Sequence, residues 1–96
     1  MMIVWKGCLV IKIVIISAVW CPACLIMHSR YEEIKKMFPK FEYIDYDFDL
    51  DEEIVEKYNV GTTLPVLIVL DNNQEINRIV GEKTIDQIKQ VLGEYK

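Results

Sequence analysis

Cys21 and Cys24 stand three positions apart in the segment Trp20-Cys21-Pro22-Ala23-Cys24. That spacing has two chemical readings, dithiol redox exchange or half of a metal site. A thiolate is the form of cysteine that attacks disulfides, and helix N-termini favour it. Unpaired backbone N–H groups and the positive end of the helix dipole stabilise an anion there. Three positions along a helix is about one turn, which brings two cysteine Cα atoms within disulfide range. Pro22 stiffens the loop and removes one N–H donor, and Ala23 adds neither charge nor hydrogen bond. For the metal reading, Cys8 and His28 are the remaining soft ligands and would complete a Cys3His set. Cys8, however, precedes a predicted strand and falls near its far end, about 25 Å away at roughly 3.3 Å per residue. We therefore expect neither metal nor cofactor. Cys8 reads as a small apolar filler, and His28 as a surface or half-buried helix residue rather than a catalytic base.

The elements that must position the pair follow from hydrophobic patterning. Residues 9–17 are apolar in both parities and rich in Val and Ile, which predicts a strand covered on both faces. The run from Leu9 to Trp20, with Lys6 ahead of it, also has the look of a signal-peptide core. It is too short to span a bilayer as a helix and no convincing cleavage site follows it, so a buried central strand is the better reading. A helix is predicted to open at Pro22, where the missing proline N–H is not needed, and to end at Pro39. Its apolar spacing is carried by Leu25, Ile26, Ile34 and Met37. A second strand is expected over 42–48, with Ile44, Tyr46 and Phe48 on one side. Asp49 is expected to cap a short helix, with Glu52 as its capping-box partner, ending near Tyr58-Asn59. Pro65 opens a third strand, 66–70, and Asp71-Asn72-Asn73 forms a turn into a fourth, 75–80, that Gly81 breaks. Thr84 caps a last helix with Gln87 three residues on, and Ile85, Ile88, Val91 and Leu92 face the core. Alternating strands and helices imply parallel pairing through right-handed crossovers, and the closing hairpin adds an antiparallel strand. The expected architecture is α/β, a mixed four-stranded sheet in the order β-α-β-α-β-β-α with helices on both faces.

The totals agree with one domain over 1–96, in which an extra strand or arm is expected at residues 1–8. At 52% hydrophobic and 27% charged, the chain has ample apolar surface to offset its entropy. A net charge of −4 argues against a nucleic-acid partner, which calls for a basic patch. The acidic run Asp45 to Glu53 reads as a solvated loop and helix start. Three cysteines are too few, and too odd in number, for a secreted disulfide scaffold.

The strand ending Ser17-Ala18-Val19, followed by Trp20-Cys21-Pro22-Ala23-Cys24, resembles the W-C-x-x-C site of the thioredoxin family. Leu64-Pro65 is similar in placement to that family's cis-proline. Tyr58-Asn59-Val60 resembles its Tyr-x-hydrophobic segment, and Val80-Gly81 resembles the Val-Gly ahead of its final helix. The likeness runs over about residues 9–95. It implies a thioredoxin-like fold and a protein disulfide reductase or electron carrier. Cys21 would attack a substrate disulfide, and Cys24, the more buried, would resolve the mixed disulfide. Pro65, if cis, would lack a competing N–H and let the neighbouring backbone pair with substrate. Trp20, Pro22 and Leu64 would form the substrate-binding rim.

Three departures qualify the resemblance. Ile15 stands six residues before Cys21, where the family usually has a buried aspartate. Only 20 residues precede Cys21, too few for the family's extra N-terminal strand and helix, so a trimmed, glutaredoxin-sized fold is expected. Leu64 replaces the usual isoleucine. Glutaredoxins share the C-P-x-C pattern, but Ala23 stands where they usually have tyrosine, and Gly81-Glu82 replaces their Gly-Gly pair. The resemblance thus favours a flavoprotein of the thioredoxin-reductase type over glutathione as electron source. It also implies disulfide-containing protein substrates and a cytoplasmic monomer with no nucleic-acid or membrane partner. A glutaredoxin-like glutathione-dependent reductase and a non-catalytic binding module of the same fold are the alternatives.

Overall fold

The computed structural model describes residues 11–95. The expected arm at 1–8, Cys8 included, and the first two residues of the predicted strand lie outside the described residues. The elements are β1 (Ile11–Ser17), α1 (Pro22–Met37), β2 (Glu42–Asp47), α2 (Glu52–Lys57), β3 (Val66–Asp71), β4 (Gln74–Val80) and α3 (Ile85–Leu92), closed by a single 3-10 turn, Gly93–Tyr95. The sheet order is β2-β1-β3-β4, so the two most apolar strands are the inner ones. The outer strands carry most of the charges, Glu42, Asp45 and Asp47 on β2 and Glu75 and Arg78 on β4, against Lys12 on β1 and Asp71 on β3.

Side chains alternate across β1 and sort into two cores. Ile11, Ile13 and Ile15 pack with Met27, Tyr31, Ile34, Ile88 and Leu92, beneath α1 and α3. Val14 and Ile16 pack on the opposite face with Val66, Ile68, Leu70 and the partly buried Ile54, Val55 and Tyr58 of α2 and its exit. Both faces are therefore covered. Cys21 and Cys24 belong to the second core.

One pairing departs from the expected parallel crossovers. β1 and β2 are parallel, but β1 and β3 are antiparallel, as are β3 and β4. The reason is length. The six residues of α2 span only about 9 Å, against about 23 Å for a strand of seven residues. The helix alone covers less than half of the way back to the start of β1, and the eight residues between it and β3 do not complete the return. The chain re-enters the sheet from the end where β1 and β2 leave it, and Val66 pairs with Ile16. This brings Pro65 to the same end of the sheet as the dithiol.

α1 corrects a second expectation. Its buried residues are Cys24, Met27, Tyr31 and Ile34, whereas Leu25 is 70% exposed, Ile26 47% and Met37 44%. At about 100° of rotation per residue, Leu25 and Ile26 lie 100–200° around the helix from Cys24. Only the positions in phase with Cys24 face the sheet; Leu25 and Ile26 are followed on their own faces by Ser29, Arg30, Glu32 and Glu33.

The start of α2 corrects a third. Its N-cap is Asp51, which makes no capping bond of its own; its carboxylate accepts the Asp47 N–H at 2.8 Å. Asp47 in turn accepts the N–H groups of Asp49 at 2.8 Å and Leu50 at 3.1 Å. Asp47 thus ties the turn that Asp49 was expected to cap, which leaves the Asp49 carboxylate for another partner.

The other local signals hold. Thr84 and Gln87 form a reciprocal capping box on α3. Asp71 pairs with Gln74, so the hairpin loop is the two residues Asn72 and Asn73, both at positive φ. That conformation matches the twist of the flanking strands and is one asparagine tolerates.

Candidate active site

Cys21 is the N-cap of α1, with extended backbone angles, and Pro22 is the first helical residue. Its sulfur accepts the Cys24 N–H at 3.3 Å, so one of the unpaired donors at the helix start is aimed at the thiol. The strand-to-helix turn is itself closed by a Cys21 N–H to Ala18 carbonyl bond of 3.2 Å. On its other side the Cys21 sulfur lies 3.8 Å from the Leu64 carbonyl oxygen. The Leu64–Pro65 peptide bond is cis. Gly81 closes this side of the site by donating its N–H to the Pro65 carbonyl at 2.8 Å, from a φ of +85° that suits glycine.

The resemblance implied that Cys24 is the more buried cysteine. In the structure the two are equally covered, Cys21 at 6% and Cys24 at 8% exposure. They differ in what surrounds each sulfur. Burial pushes the Cys24 thiol up to about 11, helped by its hydrogen bond with Cys21 and by that neighbour's charge, while the Ala18 backbone acts in the opposite sense. Both cysteines are free thiols here.

Trp20 stands at the rim, 57% exposed. Its indole N–H donates to the Asp49 carboxylate at 2.7 Å, and its ring meets Phe48 edge-on at 6.2 Å. This is the role the turn leaves to Asp49. An indole N–H has no acceptor function and takes a carboxylate readily, but nothing in the spacing identifies which aspartate of the acidic run it meets. Pro22 is exposed beside Trp20, and Leu64 is buried behind Cys21.

A cleft of about 230 Å³ opens behind Cys24, lined by Ile15, Ser17, Cys24, His28, Tyr31, Glu32, Lys35 and Asp45. Ile15 is the position where the resembling family usually has its aspartate. Asp45 pairs with it across β1 and β2, so a carboxylate does line the cleft, one strand over. Lys35 sits 3.3 Å from Asp45 and 3.3 Å from Glu32. Burial opposes its charge, but the two carboxylates outweigh that and raise its pKa. The Tyr31 phenol is pushed well above its ordinary range, first by burial and then by the charges of Cys24 and Asp45. Sequence reasoning missed this cleft because helix rotation and strand register place its side chains together, and neither is written in residue spacing.

Comparison with known proteins gives the same picture. Residues 9–94 match the family model described as Thioredoxin. Thioredoxin H5 of Oryza sativa subsp. japonica is 34% identical over 65 residues, covering 68% of this chain and 47% of that protein. A thioredoxin H-type of Oryza sativa subsp. indica is 32% identical over 77 residues, covering 78% and 62%. The chain thus matches about half to two thirds of the length of these curated relatives. Among solved structures, that of Plasmodium falciparum thioredoxin is similar with a TM-score of 0.82 at 30% identity, covering 90% of this chain and 82% of that one. That of Fasciola hepatica thioredoxin has a TM-score of 0.83 at 25% identity, covering 91% and 82%. With its C-x-x-C pair at the head of α1 and the matched fold around it, this chain belongs to the thioredoxin family.

Proposed function

We propose that the protein is a thioredoxin-like disulfide reductase and electron carrier, with Cys21 as nucleophile and Cys24 as resolving thiol. The observation that carries this is the Cys21 sulfur at the N-cap of α1, accepting the Cys24 N–H at 3.3 Å. The thiolate is the reactive form, and a backbone donor aimed at the sulfur is placed to hydrogen-bond it. Cys21 attacks a substrate disulfide, one substrate sulfur leaves as thiolate, and a mixed disulfide forms. Cys24 then attacks Cys21, the second substrate sulfur leaves, and the pair ends as a disulfide. Two electrons have moved to the substrate. Pro65 and Leu64 align the substrate chain beside Cys21. Pro65 has no N–H of its own to offer, and the Leu64 carbonyl is already in contact with the sulfur. Trp20 and Pro22 form the exposed lip on which a partner rests.

Disulfide-containing proteins are the substrates in this reading, and a flavoprotein of the thioredoxin-reductase type is the electron source. Glutathione is disfavoured by Glu82, a carboxylate that engages Arg30 at 3.4 Å where a glutathione carboxylate would look for positive charge. The proposed setting is a cytoplasmic monomer. No helix among the described residues is long and apolar enough to cross a membrane.

The test is insulin reduction by dithiothreitol. The protein accelerates precipitation of the insulin B chain, and Cys21→Ser removes the acceleration. Equal rates with and without the protein would reject the reading in favour of a binding module.

A further inference from the structure

The dithiol reading leaves one proton without an owner. Cys24 must lose it to attack Cys21, and its burial keeps it protonated at neutral pH. With Ile15 beneath it, the position that usually carries a carboxylate offers none. The cleft behind Cys24 holds the candidates. Asp45 is matched by Lys35 at 3.3 Å, and Glu32 shares that ammonium. The Tyr31 phenol is held protonated, so it can donate or relay a proton but not take one up. β1 contributes Ile15 and Ser17 to the lining, and neither titrates. His28 remains. It is four residues after Cys24 on α1, so the two side chains neighbour each other on one helical face. It lines the same cleft, is otherwise exposed, and is the only histidine of the chain. Imidazole is the side chain that ordinarily exchanges protons near neutral pH. The cleft, at about 230 Å³, is large enough to hold water.

We propose that His28 is the general base of the resolving step, taking the Cys24 proton across the cleft behind the dithiol. This rests on the dithiol reading above. In the mixed disulfide, the Cys24 Sγ–H gives its proton to the imidazole, directly or through water. The Cys24 sulfur then forms the bond to Cys21, and the bond from Cys21 to the substrate sulfur breaks with its electron pair. The substrate thiolate takes a proton from solvent, and the imidazolium returns its own. The dithiol is oxidised by two electrons and the substrate reduced by two. Asp45 and Glu32 favour the transient imidazolium, and Lys35 opposes it.

The test separates the two sulfur steps. Reduced protein, in a Cys8→Ser background, is mixed with one equivalent of the aromatic disulfide dithionitrobenzoate. The first thionitrobenzoate released reports attack by Cys21, and the second reports attack by Cys24. His28→Gln is expected to lower the rate of the second release relative to the first on the order of 100-fold. The pH profile of the second release is expected to differ between the native protein and His28→Gln, while that of the first release does not. Free imidazole restores the second release in His28→Ala, a readout that a merely structural role would not move. An unchanged ratio and profile in His28→Gln would overturn the proposal. So would the same change of ratio and profile in Asp45→Asn with His28 intact. If the first release is no faster than in Cys21→Ser, the dithiol reading itself falls and this proposal with it.

Discussion

At Cys21 the sulfur meets a backbone N–H at the helix start; at Cys24 it meets Cys21, the Ala18 backbone and the cleft. Similar depth with different neighbours is what allows two cysteines one turn apart to take different parts. The consequence is a trap. Cys24→Ser retains the attacking sulfur and lacks the resolving one, so it should accumulate a covalent one-to-one adduct with a substrate such as insulin, visible by mass spectrometry and released by dithiothreitol. Cys21→Ser should give no such adduct. At this scale the sequence was informative where chemistry depends on spacing alone. Cys21 and Cys24 can be picked out by their spacing, and Pro65 through the resemblance to the family's cis-proline. Asp45, Tyr31 and Lys35 cannot, because they reach the cleft through β1–β2 register and the rotation of α1. Asp49 was misread because two neighbouring aspartates, Asp47 and Asp51, compete for the same turn and hold it first.

Among the elements, the starts and stops are local events and were legible. Pro22 and Pro39 bracket α1, the Thr84–Gln87 box opens α3, and Asn72-Asn73 turns the hairpin. Direction was not legible at β3, since it depends on how far α2 can travel. Nor was the buried face of α1, where Leu25 and Ile26 stand beside the buried Cys24 and Met27 in the first turns. Two substitutions measure these local terms. Thr84→Ala removes the cap bond to the Gln87 N–H and should cost about 1 kcal/mol in urea unfolding. Gly81→Ala forces a side chain into positive φ and should cost about 1–2 kcal/mol. The added methyl has room, with Thr63 Cγ2 at 3.6 Å, so the loss would reflect backbone conformation and not a clash. The same change should also slow insulin reduction, because the Gly81 N–H holds the Pro65 carbonyl.

At the scale of the whole molecule, three acids among the described residues, two buried and one half-buried, titrate abnormally in the same direction. Cys24 is raised from 9.0 to about 11 and Tyr43 from 10.0 to about 12, each chiefly by burial, and Tyr31 is raised further. Each therefore keeps its proton longer in the folded chain than in the unfolded one. Above about pH 9 the unfolded state binds fewer protons, so stability falls as pH rises, whereas below pH 9 these groups leave it flat. Urea midpoints of the reduced protein should decline between pH 9 and 11. The oxidised protein, without the Cys24 thiol, should decline later and less, and Tyr31→Phe should remove a further part. A reduced protein with constant midpoints to pH 11 would contradict this account of the core. The division of the fold into two cores either side of β1 was readable from its two-parity apolar pattern; the arrangement that couples Tyr31 to the dithiol was not.

The strand order β2-β1-β3-β4 also governs what the chain must hide. The segments Ile13–Ile16 and Val66–Leu70 are short, uncharged and β-branched or leucine-rich, the composition of self-stacking fibril segments. They lie beside each other as inner strands, so neither offers a free backbone edge. Among the described residues the edge strands are β2 and β4, whose charges discourage pairing with another copy. Pro65 and Asp71 bracket the more hazardous of the two segments, as proline and charge do at aggregation-prone stretches. Detaching β4, for instance by a proteolytic cut at Asn72-Asn73, would uncover the β3 edge. The nicked chain should then be lost to fibrils rather than to simple unfolding.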